Sequence, residues 1–215
     1  MSSEYPLVPL DCPTCGAGIR AEGEDIVFYC TACRNGYRFD EQSRSLLPLE
    51  VAFVTLPDRE VDLYLPFWLL PARIEIGQRV GTGGSFRGLM RLFTGSEPEE
   101  TGARTGTFVV PAFQAPLAAI TELTRRYTEA FPRLGEKLGE RLVGGSYGVA
   151  DAQKLAHYAL IASEVGKPDT LKELRYDLEF GDARLLGVPF VVRGERVEDA
   201  LFGIAFERAA ESTAG

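Results

Sequence analysis

The chain has 215 residues, 45% hydrophobic and 25% charged, a balance that excludes wholesale disorder and fibrous repeats and suits one domain with a small appendage or two small domains. Lys and Arg number 23 against 31 Asp and Glu, a net charge of −8; a general nucleic-acid binder gathers positive charge to displace phosphate counterions, and this chain does the reverse. The first ten residues lack the basic start and apolar run of a secretory signal, which points to a soluble, cytoplasmic protein.

All four cysteines lie between residues 12 and 33, as Cys12-Pro13-Thr14-Cys15 and Cys30-Thr31-Ala32-Cys33, with 14 residues between the pairs. Two residues between thiols let each pair form a knuckle whose backbone amides point at sulfur, and the spacer is long enough for a hairpin that brings the knuckles together. Pro13, Gly16 and Gly36 stand where such turns need a fixed or a positive φ. Ile26-Val27-Phe28-Tyr29 is a β-prone run leading into the second pair. Four thiolates close a tetrahedron around Zn²⁺ and leave no position for water, the arrangement of a structural site. Cys12, Cys15, Cys30 and Cys33 are therefore the candidate metal ligands, with zinc the expected ion and iron, which also suits four thiolates, the alternative. Disulfides would need an oxidising compartment. A thioredoxin-like redox site carries one such pair at a strand-to-helix junction, whereas here two pairs face each other.

This C-x2-C-x14-C-x2-C stretch resembles the zinc-ribbon family over about residues 8–48. The resemblance implies a rubredoxin-like ribbon in which two knuckles grip one zinc, with the four cysteines at the ligand positions and a small sheet that contacts nucleic acid or protein. Met1 to Pro48 hold seven acids against four arginines (Arg20, Arg34, Arg38 and Arg44), and four thiolates with one Zn²⁺ add a formal charge of about −2. An acidic ribbon favours a protein partner over phosphates.

Residues 1–48 thus read as a zinc ribbon and residues 49–215 as a second domain, with Pro48 at the exit. Val61 to Leu70 and Arg73-Ile74-Glu75-Ile76 read as two strands of one sheet, with Pro66 and Pro71 confined to an edge, a bulge or a strand end. Leu63 to Leu70 is too short, and too interrupted by proline, to cross a bilayer. Leu65-Pro66-Phe67-Trp68, Val110-Pro111-Ala112-Phe113 and Val188-Pro189-Phe190 repeat one phrase at uneven spacing, which reads as a recurring strand-edge element. Such phrases resemble those of uncharacterised bacterial zinc-ribbon proteins, a likeness that implies no activity.

Gly77 to Gly106, rich in Gly, Ser and Thr, is expected to hold a mobile, basic loop. Its Gly81-Thr82-Gly83-Gly84-Ser85 lacks the Gly-Lys-Ser/Thr ending of a phosphate loop. Phe86, Leu89, Met90 and Phe93 fall at helical spacing with Arg87 and Arg91 beside them, a short basic amphipathic helix able to pack on its own domain, a partner groove or an anionic membrane surface. Further on, Leu117, Ile120, Leu123 or Thr124, Tyr127 and Phe131 form the stripe of a helix opened by Pro116 and ended by Pro132. A short helix is expected around Leu134 to Leu142, and a third over about Val149 to Val165 with Ala152, Leu155, Ala156, Ala159 and Leu160 inward. Leu174, Tyr176, Leu178 and Phe180 alternate as a strand, Gly181-Asp182 reads as a hairpin turn into Arg184 to Val192, and Arg193-Gly194-Glu195 as another turn. Phe202 to Phe206 fits either strand or helix. The fold class is α+β, an N-terminal rubredoxin-like zinc ribbon followed by strands, helices and strands.

No catalytic constellation emerges. His157 is the sole histidine and points away from its helix stripe, Ser146 and Ser163 lack a nucleophile elbow, and Glu198-Asp199 reads as solvated charge. An enzyme is disfavoured without being excluded, because acid/base chemistry needs only two positioned carboxylates. The expectation is an adaptor or assembly subunit making protein contacts with a structural zinc. The alternatives are a nucleic-acid-associated factor contacting through Arg34, Arg38, Arg79, Arg87 and Arg91, and a rubredoxin-like iron electron-transfer protein.

Overall fold

The structure is a computed structural model that describes residues 10–21, 23–56, 61–82, 102–135, 142–165 and 170–207. It is mixed and strand-rich, with two helices among the described residues. No helix of these is long and apolar enough to cross a membrane.

The cysteine-bearing segment forms a three-stranded antiparallel sheet of β1 (Val27–Cys30), β2 (Asn35–Asp40) and β3 (Ser45–Leu49). Asp40 organises the second turn, its carboxylate accepting from the Ser43 amide at 2.8 Å, an Asx-type turn that lets the chain reverse. One residue after β3 the chain enters a second, eight-stranded sheet through β4 (Val51–Val54).

The centre of that sheet is β5 (Leu63–Thr82), which carries β6 (Gly102–Pro111) antiparallel along one edge. Its other edge pairs antiparallel with β8 (Thr170–Phe180) and β9 (Arg184–Arg193) in turn. β9 also pairs in parallel with β4, which carries the two-residue β7 (Leu134–Gly135), and antiparallel with β10 (Arg196–Asp199), followed by β11 (Ala205–Glu207). Helices α1 (Leu117–Glu129) and α2 (Val149–Val165) complete the architecture.

The two strands expected over Val61–Leu70 and Arg73–Ile76 are one strand, and Pro66 and Pro71 lie inside it rather than at its ends. The reason is visible in the ladder. A proline has a carbonyl to accept a cross-strand bond but no N–H to return one. Pro66 O accepts from Ala112 N at 2.9 Å, Pro71 O from Gly181 N at 2.8 Å, and Pro189 O from Ala200 N at 3.0 Å. Ala112, Gly181 and Ala200 each lie one residue beyond the end of β6, β8 and β10 respectively. Each proline thus makes half a pair, and the neighbouring strand ends there. Pro111 is the last residue of β6, and by the same alternation its nitrogen faces the strand's outer edge. The recurring phrase is a strand-terminating device.

Gly181-Asp182 is likewise no hairpin turn. β8 and β9 run in the same direction along β5, Phe180 facing Ala72 and Arg184 facing Leu69. Four steps on their side match three on β5, one extra residue, which makes a β-bulge opposite the proline. Arg193 and Arg196, by contrast, pair across a true two-residue turn with Gly194 at φ 63°.

Strand alternation gives β5 two buried faces. Tyr64, Trp68, Leu70, Ala72 and Ile74 share one core with Ala152, Ala156 and Leu160 of α2. Leu63, Leu65, Phe67 and Leu69 share the other with Leu123 and Tyr127 of α1, Val188 and Phe190. Leu117 and Phe131, assigned to the α1 stripe from sequence, are instead about half exposed, at 50% and 47%; Thr124 and Thr128 take buried places. Thr128 Oγ1 accepts from Val109 N at 3.0 Å, which occupies an outward amide of the β6 edge. The helix expected around Leu134 begins instead as β7, whose partners are Phe53 and Val54; 136–141 lie outside the described residues. Gly77–Thr82 and Gly102–Gly106, expected as loop, extend β5 and β6.

The two sheets meet at Gly145. Ile26 N and Val27 N donate to Gly145 O at 2.7 and 2.9 Å, and Gly145 N returns a bond to Val27 O at 3.0 Å. A Cβ on Gly145 would lie 2.8 Å from Ala112 O and 3.0 Å from Pro66 Cγ. Both obstacles are backbone or ring atoms that cannot swing aside. Gly145→Ala is therefore expected to destabilise the fold by about 1–3 kcal/mol, read as a lower urea midpoint at unchanged slope.

Candidate metal centre

Each knuckle is shaped by one residue of positive φ after its second cysteine. Gly16 has φ 71° and Arg34 has φ 60°. The second place falls to an arginine, a conformation that disfavours L side chains by about 1–2 kcal/mol. Gly36, expected to supply it, lies instead in β2, where a Cβ would meet Val51 Cγ2 at 2.2 Å. Its smallness lets β2 approach β4.

Within the first knuckle Cys12 N donates to Ala17 O at 2.8 Å and Gly16 N to Cys12 O at 2.9 Å; in the second, Arg34 N donates to Cys30 O at 2.7 Å. The Thr14 and Cys15 amides face the Cys12 sulfur, and the Ala17 amide faces that of Cys15. The knuckles bring Cys12, Cys15, Cys30 and Cys33 together with all four sulfurs within 4.8 Å of one another. Cys12 Sγ lies 3.5 Å from Cys33 Sγ, and Cys15 Sγ 3.6 Å from Cys30 Sγ. These separations are far above the ~2.05 Å of a disulfide. They lie close to the ~3.8 Å edge of a tetrahedron with metal–sulfur bonds of about 2.3 Å. The donor set fits a thiophilic ion, being all sulfur with no carboxylate or imidazole in the group. The four cysteines form a group able to hold one metal ion.

Burial across the group is graded: Cys12 and Cys30 are buried, Cys33 is intermediate and Cys15 is exposed. Burial pushes the Cys12 thiol up, but donation from the Tyr37 hydroxyl and the Cys15 and Thr14 amides outweighs it and lowers the thiol to about 6. At Cys15 the Ala17 amide lowers the thiol, while desolvation and the neighbouring sulfurs raise it, to about 12 in all. The neighbouring sulfurs thus disfavour charge on Cys15, and a divalent ion would favour it.

Sequence reasoning missed Tyr37. Its ring is 1% exposed and its hydroxyl sits 3.1 Å from Cys12 Sγ, 3.9 Å from Cys33 Sγ and 2.6 Å from Thr14 Oγ1. Burial pushes this phenol up to about 12. The only signal in the sequence was an aromatic four residues after the last cysteine, which any small core would also use.

Among the described residues, the others singled out from sequence do not join the cluster. Arg38 pairs with Asp40 at 3.8 Å on the surface. Arg79 lies on β5, and Phe86, Arg87, Leu89, Met90, Arg91 and Phe93, with Gly83 to Ser85, lie outside the described residues. His157 is not a solvated side chain: Nδ1 is 3.1 Å from the Tyr176 hydroxyl, and the ring packs edge-on against Phe180. It fastens α2 to β8.

Asp199, read as solvated charge, is 1% exposed. It accepts from the Tyr127 hydroxyl, from Phe202 N at 2.6 Å and from Leu201 N at 3.3 Å, so its oxygens organise the turn between β10 and β11 and tie it to α1. Burial raises its carboxyl above the usual range despite these donors. A group raised in the folded state stabilises fully below its unfolded value, about 3.9, and that contribution is lost as pH climbs through the folded value. Relative to Asp199→Asn, which is neutral throughout, the native chain should lose stability as pH rises above about 4; parallel urea titrations at acidic and neutral pH check the sign.

Compared with family models, curated proteins and solved structures, the chain gives no match to any of them.

Proposed function

We propose that Cys12, Cys15, Cys30 and Cys33 hold a single structural Zn²⁺ in a rubredoxin-like ribbon over about residues 1–48. We propose further that the chain, with its mixed domain over 49–215, serves in the cytoplasm as a non-catalytic adaptor or assembly subunit that binds other proteins. The observation that carries this reading is the approach of four sulfurs to within 4.8 Å of one another with no other donor in the group. Four thiolates fill the coordination of zinc, so the ion supplies cross-linking and no activated water.

Supporting the protein-binding reading, the net charge of −8 disfavours phosphate-rich partners. Arg38, a contact in the nucleic-acid alternative, is paired with Asp40. Tyr158 and Ile161 on α2 leave apolar surface exposed, at 47% and 43%, one turn apart on the helix. Four reduced thiols suit a reducing compartment.

Elemental analysis of the purified chain should find one zinc per chain, and Cys30→Ser, which replaces a buried sulfur, should lose it. Metal removal should lower the thermal midpoint and speed amide exchange through Val27–Leu49, because the ion closes that small core. A red, iron-loaded protein would replace this reading with electron transfer. Tight binding to DNA or RNA that falls steeply with salt would replace it with the nucleic-acid reading, and a metal-free chain of undiminished stability would remove the structural ion altogether.

A further inference from the structure

We infer that Tyr37 is a positioning residue for the ion: its buried hydroxyl donates a hydrogen bond to the Cys12 thiolate when metal is bound, with Thr14 holding it in place. The inference rests on the four-cysteine site being a metal site, and it adds a residue that acts on the metal through its ligand.

The geometry carries it. The Tyr37 ring is sealed from solvent, so its hydroxyl must find partners inside the protein. Those at hand are Thr14 Oγ1 at 2.6 Å, Cys12 Sγ at 3.1 Å and, more distantly, Cys33 Sγ at 3.9 Å. The hydroxyl therefore stands beside the Cys12–Cys33 edge of the sulfur tetrahedron, 3.5 Å long, on its more buried side. The side chain of Asn35 reaches the same oxygen.

A phenol has one proton to donate and two lone pairs to accept. A metal-bound Cys12 is a thiolate and therefore an acceptor only. The phenol proton can then go to sulfur, and the Thr14 hydroxyl, 2.6 Å away, can donate to the phenol oxygen. A donor aimed at a ligating thiolate draws off part of its charge and favours the metal-bound form over the protonated one.

The test loads Co²⁺ into the native chain and into Tyr37→Phe, which keeps the ring and removes only the hydroxyl. In Tyr37→Phe the sulfur-to-cobalt charge-transfer bands should move to lower energy, and competition against a chelator should show roughly 10–100-fold weaker binding. Thr14→Val, which leaves the phenol in place, should move the bands less. Native-like circular dichroism separates these effects from misfolding, since a merely structural tyrosine would not shift the bands of a site that still binds. Bands and affinity in Tyr37→Phe that coincide with those of the native chain would overturn the role of Tyr37 alone, as would a larger shift in Thr14→Val. A native chain that takes up no cobalt would overturn the metal reading and this inference with it.

Discussion

Four residues, Val27 to Cys30, close two cores at once. Because a strand turns successive side chains to opposite faces, Phe28 and Cys30 enter the small core around the sulfurs, while Val27 and Tyr29 enter the large core beside Phe53 and Trp68. Tyr29 meets Phe53 edge-on, with ring centroids 5.4 Å apart. A one-residue slip would exchange the two sets and spoil both cores. The reciprocal bonds between Val27 and Gly145 hold that register. The cysteine-bearing sheet is therefore seated on the larger one by the same strand that delivers a sulfur. Anything that orders Cys30 also orders Tyr29.

Much of this could be read in advance, and where reading failed the reason is physical. The cysteine spacing and the β-prone run before Cys30 were legible because both depend on local geometry. So were the helices at Leu117 and Val149, whose apolar periodicity is long enough to be unambiguous. The strand boundaries were not. Pro66 and Pro71 look like interruptions to any local rule, yet each interrupts the partner strand instead of its own. Local sequence says that a donor is missing; only the arrangement of neighbours says which edge it is missing from. The same holds for Gly181, which resembles a turn and serves as a bulge because β5 passes straight by it.

Polar burial was the other blind spot. Asp199, His157 and Tyr37 all carry polar groups whose burial helix or strand periodicity does not predict. Each is drawn inward by a specific partner distant in sequence: Tyr127, Tyr176 and Cys12. Such groups become tolerable inside only when their hydrogen bonds are met, and that condition is a property of the assembled fold. Arg34 shows the opposite case. Its positive φ breaks a local preference for glycine, and the closed knuckle sustains it.

The balance of charge around the sulfurs follows from the same need for partners. A tetrathiolate with one divalent ion keeps a formal charge of about −2. The Thr14, Cys15 and Ala17 amides and the Tyr37 hydroxyl aim dipoles at that charge. Amides fixed by knuckle geometry can stabilise thiolate charge without a buried cation, whose own desolvation would be costly. They also require the knuckle backbone to keep its shape, because an amide that turns away leaves the buried Cys12 sulfur unsolvated. A centre stabilised in this way depends on the rigidity of the turns that surround it, and its position against β4 and Gly145 ties that rigidity to the main body of the protein.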